Sequence, residues 1–241
     1  MLQVEVANRS ADFATIGTFG DAPAATAAPN GVPLVWVDPW GVVQPGGFQY
    51  AAGEHPAEGW SYREALVETS RLAELATLPA AGTLALEALR IAAWRPRAVT
   101  ELDERAIPHE FDWLRSAVHL AKGCYRGQET VAKVHNLGHP PRRLVLLHLD
   151  GSDAVLPDAG AEVRLGRPDD EGAVVGRVTA AARHHELGPI ALALVKRSAD
   201  VASELTIDAA GVLVPAVQQV IVPPGAGATA DVPRLPRLGA R

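Results

Sequence analysis

Lys122-Gly123-Cys124-Tyr125-Arg126-Gly127-Gln128-Glu129 is the stretch on which the reading of this 241-residue chain turns. It holds the single cysteine and marks a change of texture. Before it, alanine-rich sequence spaces its apolar residues by three and four. After it, short runs alternate with a period of two. The window from Arg115 to Arg143 carries six basic residues against one acid, Glu129, a formal charge of +5 in a chain of net charge −6.

Working downstream, residues 128–134 read as a short helix and 136–141 as a linker with Gly138, Pro140 and Pro141. Residues 142–149, 161–165, 173–180, 189–195, 204–207 and 212–221 read as strands separated by turns rich in Gly, Asp and Pro. Six short strands in ~80 residues predict a small antiparallel barrel over 142–222, an architecture that leaves no sheet edge open. The stretch 223–241 has four prolines and no periodic apolar face, and is expected to be a disordered tail.

Working upstream, residues 81–94 give the clearest helix. Leu84, Ala88 and Ile91, with Leu86, Leu89 and Ala93, cover a wide apolar face, and Arg95-Pro96-Arg97 stops it. Leu66, Val67, Leu72, Leu75 and Ala76 suggest a second helix over 61–78, closed by Pro79. Residues 2–6, 13–17, 33–37 and 48–51 read as short strands, with 33–37 buried. The expected class is α+β. The expected domains are 1–118 as one α+β domain, 119–141 as the cysteine motif and linker, 142–222 as the barrel and 223–241 as the tail.

A composition of 48% hydrophobic and 21% charged residues predicts a packed core. The acidic balance argues against general coating of nucleic acid, although the local basic window suits an anionic ligand. One cysteine excludes an intrachain disulfide framework, which favours a reducing, cytoplasmic setting. No apolar run approaches the ~20 residues that cross a bilayer, and the N-terminal residues lack the basic start and apolar core of a secretory leader.

A cysteine reacts as its thiolate, and cations at Lys122 and Arg126 favour that form. Gly123 and Gly127 allow tight backbone and close approach of a ligand. Tyr125 offers a flat face and a hydroxyl, Gln128 an amide and Glu129 a carboxylate. The competing reading is a small buried cysteine in a turn. His184-His185 followed by Glu186 invites a metal reading, but no partner pair stands at ligand spacing, so a solvated barrel loop is favoured. His109, His119, His135 and His139 surround the motif without a metal pattern. No nucleophile elbow and no phosphate-binding glycine loop is present. Among the five tryptophans, Trp113 is the one placed to meet a planar ligand.

The octapeptide with Thr130-Val131-Ala132-Lys133 resembles the signature of YgfZ-type folate-binding proteins, relatives of the glycine-cleavage T-protein, an aminomethyltransferase. Ala88-Leu89-Arg90-Ile91, Glu101-Leu102-Asp103-Glu104 and Ile107-Pro108-His109-Glu110 resemble the family's series ahead of that signature. Arg142-Arg143-Leu144, Gly176-Arg177-Val178-Thr179 and Gly188-Pro189-Ile190-Ala191-Leu192 resemble its C-terminal barrel. The resemblance runs from about Thr83 to Lys196. It implies a partial T-protein-like folate-binding domain of ferredoxin-like elements, then the barrel. By the same resemblance, the family's N-terminal portion, with the T-protein's catalytic aspartate, is expected to have no counterpart in this sequence.

The resemblance further implies tetrahydrofolate or a related reduced folate as cofactor, and no permanent metal. Cys124 would be the functional thiol, tuned by Lys122 and Arg126. Glu110 would hold the pterin ring, with Trp113, Tyr125, Gln128, Glu129, Arg90 and Arg142 or Arg143 around the ligand. The implied function is that of a folate-dependent accessory protein for iron–sulfur cluster assembly or repair, supporting iron–sulfur tRNA-modifying enzymes. Its expected partners are folate and iron–sulfur client or assembly proteins, with no membrane and no strong direct nucleic-acid binding. The alternatives are an aminomethyltransferase or methyltransferase of the T-protein type and a non-catalytic protein- or tRNA-binding module.

Overall fold

The computed structural model describes residues 3–170 and 172–230, and they fall into two compact units. The first comprises Met1–Gly41 and Glu58–Gly82, the second Val42–Ala57 and Thr83–Arg241. The units run across the boundary expected at 118, because the helix after Gly82 belongs with the barrel.

The first unit is built on a three-stranded antiparallel sheet. β1 (Phe13–Phe19) and β2 (Val35–Val37) flank β3 (Tyr62–Glu68). The helix expected over 61–78 is therefore replaced by β3 and a 3-10 turn at Thr69–Leu75. The reason is a period of two hidden in the mixed spacing: Ala65 and Val67 are fully buried, and strands on both sides satisfy the backbone of this central strand. The strand expected to be buried at 33–37 is instead a short edge, with Trp36 and Val37 exposed. Residues 3–6 form no strand, and Leu2 lies outside the described residues.

In the second unit, α1 (Thr83–Ala92) and α2 (Ala98–Glu101) precede two 3-10 turns, Pro108–Phe111 and Trp113–Arg115. α3 (Gln128–Leu137) then leads into β4 (Arg142–Leu149), β5 (Glu162–Leu165), β6 (Val174–His184), β7 (Gly188–Lys196), β8 (Leu205–Ala209) and β9 (Val212–Val220). These six strands close a barrel in the order β4-β7-β6-β5-β8-β9, as the alternating sequence predicts. All pairings are antiparallel.

Two cores meet at the barrel wall. Val145, Leu147, Ala191, Ala193 and Val195 face inward with Val163 and Ile207. Their neighbours Leu144, Leu146, Ile190, Leu192 and Leu194 face outward onto Ile91, Phe111, Leu114 and Val131. β4 and β7 are thus covered on both faces, which is why they read as nearly continuous apolar runs. An irregularity between Val178 and Ala180 leaves Thr179 outside the ladder, where its hydroxyl donates to the Leu192 carbonyl at 3.1 Å.

Residues 48–51 join no sheet. Their amides are used elsewhere: Phe48 N donates to the Leu114 carbonyl and Tyr50 N to the Asp112 carboxylate. The expected tail is likewise corrected in its first part. Ala228, Thr229 and Ala230 donate backbone bonds to Val134, His135 and Asn136 at the end of α3, and Ala226 is buried. Residues 231–241 of that stretch lie outside the described residues. Among the described residues, no helix is long and apolar enough to cross a membrane.

Candidate functional site

The cysteine motif forms an irregular loop that ends at the start of α3. Gly127 closes it with φ +83°, a conformation that favours glycine, and its carbonyl accepts the first helical bond from Val131 N. Cys124 is exposed, which rules out the buried-cysteine reading. Lys122, Arg126 and Glu129 are exposed as well, and Gln128 is half-buried in the first turn of the helix. The Lys122 ammonium lies 5.5 Å from the centre of the Tyr125 ring. Tyr125 and Trp113 both lean on the outer core of the barrel, so two flat side chains named from sequence share one support.

A second group of residues named from the sequence belongs to an ion network. Glu110 is fully buried on the 3-10 turn Pro108–Phe111, and its two oxygens accept from Arg142 Nε and Nη2, each at 2.8 Å. Arg142 also donates to both oxygens of Asp103, at 2.6 and 3.0 Å. Arg177 adds a bond to Asp103 at 2.9 Å. The hydrogen bonds from Arg142 lower the Asp103 carboxyl to about 2, with Arg177 contributing. The bonds from Glu110 and then Asp103 raise the Arg142 guanidinium, which stays charged.

Asp103, Arg142 and Arg177 form one wall of a cleft of about 380 Å³ that also includes Val174, Gly176, Leu194 and Lys196, with Glu110 buried behind Arg142. Strand register explains the cations. Arg142 stands opposite Lys196 on β7, and Arg177 on β6 stands opposite Leu194. Three cations therefore gather at one end of three adjacent strands. Asp103 and Lys196 carried no assigned role in the sequence reading, nor did Arg177. The barrel register is the signal that would have brought Arg177 and Lys196 to Arg142. A larger hollow of about 450 Å³ lies at the other end of β4, around His148, Pro215 and Val217, and contains none of the residues singled out from sequence.

Two of the expected ligand arginines stand apart. Arg143 is adjacent to Arg142 in a strand and so points to the opposite face. It is buried at the barrel interior and donates to the Ala199 carbonyl at 3.0 Å and to Gln218 Oε1 at 2.8 Å. Arg90 is buried between Glu87 and Glu101 and reaches the Arg95 carbonyl, tying α1 to α2.

Beneath the turn that carries Glu110 is a third cluster that the sequence did not announce. Asp112 is fully buried with φ +56°, and its Oδ1 accepts from Tyr50 N at 2.6 Å. Its Oδ2 lies 3.9 Å from His55 Nε2, and the Arg115 guanidinium lies 2.8 Å from the same imidazole. Burial pushes Asp112 up to about 7. Burial, aided by Arg115, lowers His55 to about 3, and burial lowers His109 to about 4. Among the described residues, no group of three or more His, Cys, Asp or Glu could hold a metal ion. His184 is the buried last residue of β6, and its Nδ1 accepts from Glu186 N and Leu187 N, so the expected solvated loop begins only at His185.

The comparisons with known proteins fit this layout in two steps. Residues 142–223 match the family model described as the glycine cleavage T-protein C-terminal barrel domain. A solved structure with a related fold is the glycine cleavage system aminomethyltransferase T from Bartonella henselae. It aligns at a TM-score of 0.52 and 20% identity, over 69% of this chain and 48% of that one. The chain therefore spans about half the length of that relative. The chain matches no curated protein sequence.

Proposed function

We propose that this protein is a reduced-folate-binding accessory factor in iron–sulfur cluster assembly or repair, with Cys124 as its working thiol. The observation that carries the reading is the exposed Cys124, presented between Lys122 and Arg126 on a glycine-framed loop ahead of α3. The T-protein type of the adjoining barrel supports folate as the ligand class. An exposed thiol with cationic neighbours is suited to transient covalent or metal–sulfur chemistry. A lone cysteine does not match the four thiolates that usually hold a cluster permanently.

The residues of the cleft fit a folate in part. Arg177 and Lys196 suit the anionic glutamate tail, and the volume lies within the range of small-molecule sites. Glu110 is able to hold a pterin edge only where Arg142 gives up one of its two bonds. A bound reduced folate would supply one-carbon chemistry. The chain's own part is to bind the tail, orient the ring and present the thiol.

The test has two arms. Tetrahydrofolate titrated onto the whole chain is expected to bind, with affinity lost on Arg177→Ala with Lys196→Ala. Absence of binding overturns the folate reading. Replacing Cys124 with Ala in cells that depend on this protein is expected to lower the activity of an iron–sulfur enzyme under oxidative stress. Unchanged activity removes the thiol from the function. A second reading, transfer of an aminomethyl carbon to tetrahydrofolate, draws on the same barrel type and the fold of the Bartonella enzyme. Formation of methylenetetrahydrofolate from an aminomethyl donor, unaffected by Cys124→Ala, would favour it.

A further inference from the structure

The sheet of the first unit has one face with no role in the site described above. Antiparallel register defines its rows. Phe19 stands opposite Tyr62, and Gly17, Glu64 and Trp36 lie side by side across β1, β3 and β2. Residues two apart share a face, so Phe19, Tyr62, Glu64 and Trp36 project from the same side. Trp60 joins them: its ring lies 5.0 Å from Phe19 and 5.9 Å from Tyr62, and its Nε1 donates to Asp38 at 3.0 Å.

Three features make this face a surface for a cation-bearing partner. First, large aromatic area is left open: Phe19 is 47% exposed and Trp36 45%. Second, the carboxylate in the middle, Glu64, is half-buried and has no basic side chain at ion-pair distance among the described residues; its hydrogen-bond partner is the Tyr62 hydroxyl, at 3.2 Å. Third, the unit is acidic. Met1–Gly41 and Glu58–Gly82 hold three basic residues against eight acidic ones, so this unit carries −5 of the chain's −6.

We infer that this sheet face docks an arginine-bearing segment of a protein partner, with a guanidinium stacked on the aromatic rings and paired to Glu64. A planar guanidinium meets both requirements at once, because it stacks on aromatic faces and bonds a carboxylate through two parallel donors. Lysine would supply the charge without the planar stacking and the two parallel donors. A second copy docked face to face through the same sheet is disfavoured, because it would bring another −5 against the first. A nucleic acid is disfavoured for the same reason. Gly17 lies under the Tyr62 ring, so its lack of a side chain keeps that ring seated: a β-carbon there would meet the Tyr62 hydroxyl at 2.5 Å. The inference is independent of the folate reading, since it uses no residue of the second unit.

The probe is an acetylated peptide alternating arginine with valine, titrated onto the full chain while the indole NMR signals of Trp36 and Trp60 are followed. Both signals are expected to shift, and binding is expected to weaken as salt rises. Glu64→Gln and Trp36→Ala are each expected to weaken binding by about three-fold or more, the scale of one exposed ion pair or cation–π contact. Trp36 is exposed and Glu64 half-buried, and an unchanged urea midpoint in each variant would show that the fold is intact. Equal responses to a glutamate–valine peptide, or unchanged affinity in Glu64→Gln, would overturn the proposal. So would a protein-concentration-dependent dimer whose dissociation moves the Trp36 signal, because that outcome gives the face to a second copy.

Discussion

Asp112 and His55 share one buried corner yet bind protons in opposite senses. Folded Asp112, pushed up to about 7 from 3.8, keeps a proton that the unfolded chain releases. Its contribution to stability is present at low pH and is lost as pH rises through about 7. Folded His55 and His109, lowered to about 3 and about 4 from 6.5, stay neutral where the unfolded chain is charged. Their contribution is present above 6.5 and is lost as pH falls below it. The two senses oppose each other between about 4 and 6.5, so Asp112→Asn is expected to steepen acid destabilisation and His55→Gln to flatten it. Urea midpoints across that range measure both slopes, and identical slopes in the two variants would refute the assignment. The adjacent arginines of β4 give a second contrast. Arg142→Met strands the buried Glu110 carboxylate and is expected to cost about 3–5 kcal/mol. Arg143→Met removes a buried cation that, among the described residues, is bonded through one nitrogen, and is expected to change stability by about 1 kcal/mol or less. Chemical denaturation of the two variants decides this. Arg142 and Arg143 were both legible as candidates because charge stands out in sequence. Their separation became legible only once strand alternation assigned them to opposite faces.

At the scale of the element, the barrel strands were readable because each carries its own alternation between turn residues. β3 was not readable, since its burial depends on β1 and β2, which lie far from it in the chain and supply its hydrogen bonds. The same limit hid the ion network, whose members Asp103, Glu110, Arg142 and Arg177 meet only through the pairing of β4, β7 and β6. Two glycines set the ends of α3. At Gly127 a β-carbon would meet nothing within 4 Å, so Gly127→Ala is expected to cost only its positive φ, about 1–2 kcal/mol. At Gly227, with φ +89°, a β-carbon would approach the Gly138 carbonyl to 2.2 Å and the Val134 carbonyl to 2.7 Å. Gly227→Ala is therefore expected to cost more than Gly127→Ala and to release residues 223–230 from the end of α3. Comparing urea midpoints, together with proteolysis near Ala228, tests the order; equal costs would contradict it.

Over the whole molecule, protection should divide by unit. The amides of β4 and β7 lie in a closed barrel with a core on each face, whereas β1, β2 and β3 form a three-stranded sheet with an open aromatic face. Hydrogen exchange is expected to be slowest in β4 and β7 and faster by about an order of magnitude or more in β1 and β2. Comparable protection in both sheets would show that the first unit draws its stability from more than its own residues. The bonds from residues 228–230 back to α3 bear on how the chain is made. β4 closes the barrel only by pairing with β9, and the carbonyls at the end of α3 gain partners from Ala228, Thr229 and Ala230. A ribosome delivers these segments about seventy residues after β4. Until they emerge, β4 has one open flank and α3 an unfinished end. The barrel can therefore seal only once β9 has left the ribosome, and the waiting β4 edge is the part that a chaperone would need to shield.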